Sequence, residues 1–186
     1  MKSLVLVAST VLLAGCASMM DGPRATATAN LRDAAGRPAG TARLEQVSGG
    51  VHIVLEMTGM PPGAHGVHIH AVGKCDPPGF TTAGGHFNPG NRQHGTLNPQ
   101  GPHAGDLPNI TIEADGAGRM ETQTDRVTLK DHGTSLFDAD GSALVVHAGL
   151  DDFTTDPSGG SGARIACGVL VRQEPAAGKP PRGSTY

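Results

Sequence analysis

The stretch HGVHIH, residues 65–70, alternates polar and apolar side chains with a period of two. In an extended strand successive side chains point to opposite faces, so His68 and His70 share one face while Val67 and Ile69 share the other. The apolar pair then faces a core, and the two imidazoles stand close enough together to grip one ion. An exposed edge strand has the same pattern, so the motif alone leaves both readings open.

Runs of similar kind recur on both sides of it. They lie at 26–32, 41–47, 51–58, 109–114, 119–124, 143–148 and 164–171, and with 65–71 they make eight, separated by Gly, Asp and Pro. No segment carries a competing helical period. Eight short strands with turn signals between them predict an all-β fold, an eight-stranded antiparallel barrel or sandwich, and a Greek key suits this spacing without being proved by it. The composition agrees: 28 Gly and 14 Pro in 186 residues favour many turns, and with only 3% aromatic residues the core is built from Val, Ile, Leu and Ala. That length suits one domain with a real core, which we place at 26–172.

One interval breaks the rhythm. Gly73 to Pro108 is 36 residues, 14 of them Gly or Pro, with no helical or strand period. A loop that long buries little to offset the cost of ordering it, so something must clamp it. His86, His94, His103 and Asp106 lie inside it and Cys75 near its start, which makes a metal and a disulfide the candidate clamps. Three imidazoles and a carboxylate complete a tetrahedral shell for zinc with no position left for water, the pattern of a structural site. His147 closes the run ALVVH, and taken alone it reads as an ordinary half-buried histidine.

The termini read differently. Residues 1–15, MKSLVLVASTVLLAG, hold one Lys and then no charge, an apolar run too short to span a bilayer and typical of a signal peptide. LAGC, residues 13–16, resembles a bacterial lipobox, which marks Cys16 for lipidation; the alternative is ordinary cleavage nearby with Cys16 an incidental thiol. Residues 16–25 read as a flexible tether and 173–186, QEPAAGKPPRGSTY, as a disordered tail. With Cys16 carrying lipid, Cys75 and Cys167 remain, as one bridge in an oxidising compartment or as two free buried thiols. These features predict a periplasmic or cell-envelope protein, lipid-anchored and touching the membrane only there. A formal net charge of −3 with no long basic run excludes a nucleic-acid partner.

HGVHIH, TAGGHFNPGNRQHG (82–95), PHAGDL (102–107), LVVHAGLDD (144–152) and GARIACGVL (162–170) together resemble the copper-zinc superoxide dismutase family, in this order and at compatible spacing. The resemblance covers nearly the whole of 26–172. It implies that His68, His70, His86 and His147 bind copper and that His86, His94, His103 and Asp106 bind zinc, with His86 shared between the two. Four nitrogen donors suit Cu(II), and the three-nitrogen, one-oxygen shell suits zinc. It further implies that Asp151 hydrogen-bonds ligands of both metals, that Arg164 sits over the copper to hold the anionic substrate, and that Cys75 and Cys167 form the family's bridge. The reaction implied turns two superoxide radicals and two protons into dioxygen and hydrogen peroxide, with copper cycling, zinc structural, and His86 passing a proton.

The mapping leaves His65 a structural hydrogen bond near the site and gives His52 and His132 no metal role. Residues 152–163 carry two aspartates and no lysine, unlike the charged guiding loop of eukaryotic relatives, and Lys74 and Arg92 are candidate substitutes. The alternative function is a non-catalytic copper- and zinc-binding or copper-buffering protein on the same fold; such relatives usually lose a ligand or the arginine, and none is missing here. With no Trp and its one Tyr at position 186, the chain fits either a monomer or a homodimer.

Overall fold

The structure, a computed structural model, describes residues 24–174. The expected signal peptide (1–15), Cys16 and residues 175–186 of the expected tail lie outside the described residues. Ten strands follow one another: β1 (Thr26–Asp33), β2 (Pro38–Val47), β3 (Gly50–Met57), β4 (Gly63–His65), β5 (Val67–His70), β6 (Ile110–Ile112), β7 (Gly118–Thr124), β8 (Ala143–His147), β9 (Arg164–Val169) and β10 (Val171–Gln173), with one 3-10 turn at Thr81–Ala83.

Alternation builds the core directly. Ala27, Ala29 and Leu31 of β1 point inward, and the register carries the same face across the sheet: Ala29 pairs with Ala42, Ala42 with Leu55, and Leu55 with Met120. Each such residue is essentially buried, and burying a Leu or Ile side chain contributes roughly 1.5–3 kcal/mol.

All pairings between strands are antiparallel, in the spatial order β4-β6-β7-β3-β2-β1-β9-β8-β5. The first three strands are neighbours, after which the chain skips two strands to reach β4, a Greek-key step. Only Gly66 separates β4 from β5, so the two ends of the sheet nearly meet and the barrel is almost closed.

The eight runs read from the sequence become ten strands because two of them break. Gly66 interrupts the HGVHIH run: its N–H donates to Gly149 O (2.8 Å), and a Cβ there would lie 2.9 Å from Ser161 Cβ. Leu170 interrupts the last run, turning its N–H to Ser142 O (3.0 Å) and its side chain into the core. Beyond it β10 pairs with the first residues of β1, reaching Gln173, one residue past the boundary drawn for the domain. Counting each broken run once restores eight.

Of the clamps anticipated for the long Gly- and Pro-rich interval the disulfide is present, and backbone hydrogen bonds add a hold that was not anticipated. Phe87 N–H donates to Ile69 O (2.8 Å), Ile69 N–H to Gly105 O (2.9 Å) and Gly105 N–H to Phe87 O (2.8 Å), so two loop segments are laced against β5 and against each other. Phe80 and Ala83 pack with Ala143, Val145 and Cys167 in a small second core under the loop. The Cys75–Cys167 disulfide fastens its start, closing a sequence separation of 92 residues.

Candidate metal centre

The register of β5 against β8 decides where the histidines stand. Val67 faces Val146 and Ile69 faces Leu144 in the main core, while His68 faces Val145 and His70 faces Ala143 on the opposite surface. His147, two residues beyond Val145, shares that outer surface. The loop covers all three, and His86 is drawn in by a bridge to His70. The centre therefore lies outside the barrel wall, between strand and loop, with every ring at least largely buried.

In the four rings of His68, His70, His86 and His147, one nitrogen each is committed. His70 Nδ1 donates to Gly84 O (2.9 Å) and His147 Nδ1 to Gly162 O (3.1 Å). His68 Nε2 meets Asp151 Oδ2 (2.7 Å), and His86 Nδ1 meets Asp106 Oδ1 (2.9 Å). The other nitrogens turn toward one another. His70 Nε2 and His147 Nε2 lie 3.4 Å apart, while His68 Nδ1 and His86 Nε2 are buried and meet no hydrogen-bond partner. Ligand atoms of the four residues lie within 4.8 Å of one another. A buried nitrogen without a partner costs about 1–3 kcal/mol, and a cation among four lone pairs removes that cost.

A second group adjoins the first through His86. Asp106 Oδ1 lies 2.9 Å from His86 Nδ1, 3.0 Å from His94 Nδ1 and 3.3 Å from His103 Nδ1, and His103 Nδ1 lies 3.2 Å from His86 Nδ1. A tetrahedron whose corners lie about 2.0 Å from a central zinc has edges of about 3.3 Å, close to each of these four distances. Asp106 Oδ2 accepts from the backbone amides of Gly95 (2.9 Å) and His103 (3.0 Å), which fixes the direction of Oδ1. His68 also has a ring nitrogen within 4.8 Å of the ligand atoms of His86, His94 and Asp106. Its Nε2 is taken by Asp151 and its Nδ1 faces the other group, so His103 fits the fourth corner better.

Asp151 joins the two groups. Oδ2 accepts from His68 Nε2 and Oδ1 from His94 Nε2 (2.9 Å), with the Phe153 amide also on Oδ1 (2.7 Å). Such outer partners fix which ring nitrogen is free for an ion. Space around it is tight: a Cβ on Gly159, whose φ is +63°, would fall 1.7 Å from Asp151 Oδ1. Arg164, at the start of β9, donates from Nη1 to Phe80 O (2.7 Å) and from Nη2 to Gly84 O (2.6 Å), so it shares with His70 the carbonyl that orients that ring.

Electrostatics sort the groups by role. Burial pulls His68 down to about 3, His70 to about 2 and His147 to about 4, and pulls His86 down as well, so these rings are neutral lone-pair donors at neutral pH. Burial pulls on His94 too, but the carboxylates of Asp106 and Asp151 outweigh it and raise the ring to about 9. Burial opposes ionisation of Asp106 and Asp151, yet the imidazoles and backbone amides bonded to them hold both well below the usual carboxylate range.

The remaining sequence candidates are less central. His65 bridges His147 O (2.8 Å) and Pro61 O (2.9 Å) under the site. His52 pairs with Glu121 (2.9 Å) on the sheet surface, and His132, Lys74 and Arg92 are exposed. Two residues that the sequence reading missed belong to the support of the site. Asn109 exchanges two hydrogen bonds with the backbone of Asp151 (both 2.9 Å), and Asp156 Oδ1 accepts the His94 amide (2.6 Å). Neither sits in a motif, and no sequence signal singles them out.

Residues 38–170 match the family model described as copper/zinc superoxide dismutase. The chain is 51% identical over 137 residues to the copper-zinc superoxide dismutase 1 of Aquifex aeolicus, covering 73% of this chain and 81% of that protein. Among solved structures it is similar to a superoxide dismutase-like protein from Bacillus subtilis, with a TM-score of 0.75 and 39% identity over 77% of this chain and 97% of the other. It is also similar to the Cu/Zn superoxide dismutase from Brucella abortus, with a TM-score of 0.62 and 33% identity over 77% and 98%.

Proposed function

The chain belongs to the copper/zinc superoxide dismutase family, and from that premise we propose how its own residues divide the work. It is a superoxide dismutase, an oxidoreductase with copper and zinc as cofactors, and its substrate is the superoxide radical. His68 Nδ1, His70 Nε2, His86 Nε2 and His147 Nε2 hold copper. His86 Nδ1, His94 Nδ1, His103 Nδ1 and Asp106 Oδ1 hold zinc. When bound, copper supplies the one-electron exchange that oxidises one superoxide to dioxygen and reduces a second, which leaves with two protons as hydrogen peroxide, while zinc supplies fixed charge and structure.

Two described histidines, His68 and His86, reach both groups, but Asp151 occupies the second nitrogen of His68, which leaves His86 to offer Nε2 to one group and Nδ1 to the other. His86 Nε2 has one lone pair, so in the part of the cycle when that pair is not given to copper it can hold a proton and pass it to the departing peroxide, while Nδ1 would keep the ring anchored to the zinc side. Asp151 holds the rings of His68 and His94 with their Nδ1 atoms turned inward. Arg164 spends two of its five N–H donors on Phe80 O and Gly84 O, which stiffens the guanidinium, and its charge draws the superoxide anion to the copper side. Burial lowers its pKa, but an arginine stays cationic at physiological pH.

The observation that carries this reading is the pair of buried, partnerless nitrogens, His68 Nδ1 and His86 Nε2, inside a ring of four imidazoles. Metal analysis joined to a superoxide-consumption assay tests it. Wild-type protein is expected to bind one copper and one zinc and consume superoxide; His147→Ala is expected to lose copper and activity. A fully metallated protein without turnover would refute it.

The protein works outside the cytoplasm, anchored by lipid on Cys16 after removal of residues 1–15, as a monomer or homodimer. The leader-like sequence and the Cys75–Cys167 disulfide, a bond found mainly in oxidising compartments, support this. Incorporation of labelled palmitate, abolished by Cys16→Ser, is the check.

A further inference from the structure

Arg126 lies on the connection between β7 and β8, outside every metal-site motif, beside Val127, which is buried in the core. Its Nη2 donates to the main-chain oxygen of Asp106 (2.5 Å), the residue whose carboxylate gathers three imidazoles and two backbone amides. Its own amide is held by Thr124 Oγ1 (3.3 Å), and its Nε is buried without an acceptor. An idle buried donor is costly, so the side chain is kept here for what its other end does. That end meets Asp106.

The backbone of Asp106 is pinned on its other side by β5, through a bridge to His68 and the Leu107 N–H donated to Val67 O (3.3 Å). We infer that Arg126 is a positioning residue for zinc: it clamps Asp106 from the barrel side and thereby sets how long the ion stays bound. It touches neither metal nor substrate, and it acts through the one carboxylate in the zinc shell. The inference rests on the assignment of zinc to His86, His94, His103 and Asp106. A cavity of about 270 Å³ beside Arg126, lined also by Thr96, Thr122 and Phe153, has room for water. Water can therefore satisfy the Asp106 carbonyl when the guanidinium is gone, without holding it in place. The loss shows in zinc residence, not in folding.

Arg126→Met keeps the aliphatic stem and removes every donor, and Arg126→Lys restores a donor and the charge. Protein loaded with copper and zinc is given an excess of a chromophoric chelator and the release of zinc is timed, while the metal-free forms are melted in parallel. Outer partners of metal ligands typically carry a factor of about 10–100, so zinc release is expected to be about 10–100-fold faster in Arg126→Met. Most of the loss is expected to be recovered in Arg126→Lys, with metal-free melting unchanged. Should Arg126→Met not fold, Arg126→Gln is timed in its place and is expected to fall between the two. Zinc release at the wild-type rate, or a metal-free melting point that falls in step with the loaded one, would overturn the inference. Wild-type protein that bound no zinc would overturn the site assignment as well, which separates the two failures.

Discussion

Replacing Asp151 by alanine strips two ring nitrogens of their acceptor at once, His68 Nε2 and His94 Nε2, together with the Phe153 amide. The carboxylate is fully buried, so nothing outside can stand in for it. Each ring can then rotate, or carry its proton on the nitrogen that an ion needs, and the loss of such an outer partner typically costs about 10–100-fold in metal affinity, or about 1.4–2.8 kcal/mol. The two rings are not equally exposed to this loss. His68 rides on β5, whose ladder with β8 fixes its backbone, whereas His94 stands on a loop and loses one of the two carboxylates that aim its ring. Zinc affinity is therefore expected to fall toward a hundredfold and copper affinity by about tenfold. Competition titrations of the metal-free protein against chelators of known affinity, one metal at a time, measure both. Unchanged zinc affinity, or copper affinity falling further than zinc, would refute the reasoning that Asp151 orients both rings and that the loop-borne one depends on it more.

Two other predictions follow from the charges. His94 is raised to about 9 by Asp106 and Asp151, so at pH 7 to 8 the ion-free ring carries a proton that zinc must displace. Zinc binding is expected to release close to one proton there, and progressively less as pH rises through about 9, read as the dependence of calorimetric enthalpy on the buffer's ionisation heat; no buffer dependence at pH 7 would contradict it. Arg164→Ala removes the cation held at Phe80 O and Gly84 O, and since charge focusing is worth a factor of about 10–1,000 in association rate, superoxide consumption is expected to fall at least about tenfold and to lose most of its salt dependence. Unchanged rates would show that the guanidinium serves only those two carbonyls.

Strand alternation was legible wherever one face is wholly apolar, as in Val51, Ile53 and Leu55, or in Ala27, Ala29 and Leu31. The breaks at Gly66 and Leu170 were not, because they arise from hydrogen bonds to Gly149 and Ser142, partners that only the closed barrel brings near. The HxH pattern of His68 and His70 shows that two imidazoles share a face. That His147 joins them comes from the β5–β8 register, for which the sequence offered only the family resemblance. Asn109, Asp156 and Arg126 were invisible for a common reason. Each works through contacts that include a main-chain atom of a residue between 20 and 62 positions away, and such contacts leave no residue pattern behind.

The shared ring of His86 is the centre of the account, and anomalous diffraction from crystals of the metal-loaded protein, collected at the copper and zinc edges, addresses it most directly. Two distinct peaks are predicted, copper within bonding distance of His86 Nε2 and zinc within bonding distance of His86 Nδ1, each surrounded by its other three ligands. A single peak, or two peaks of which only one contacts His86, would contradict it.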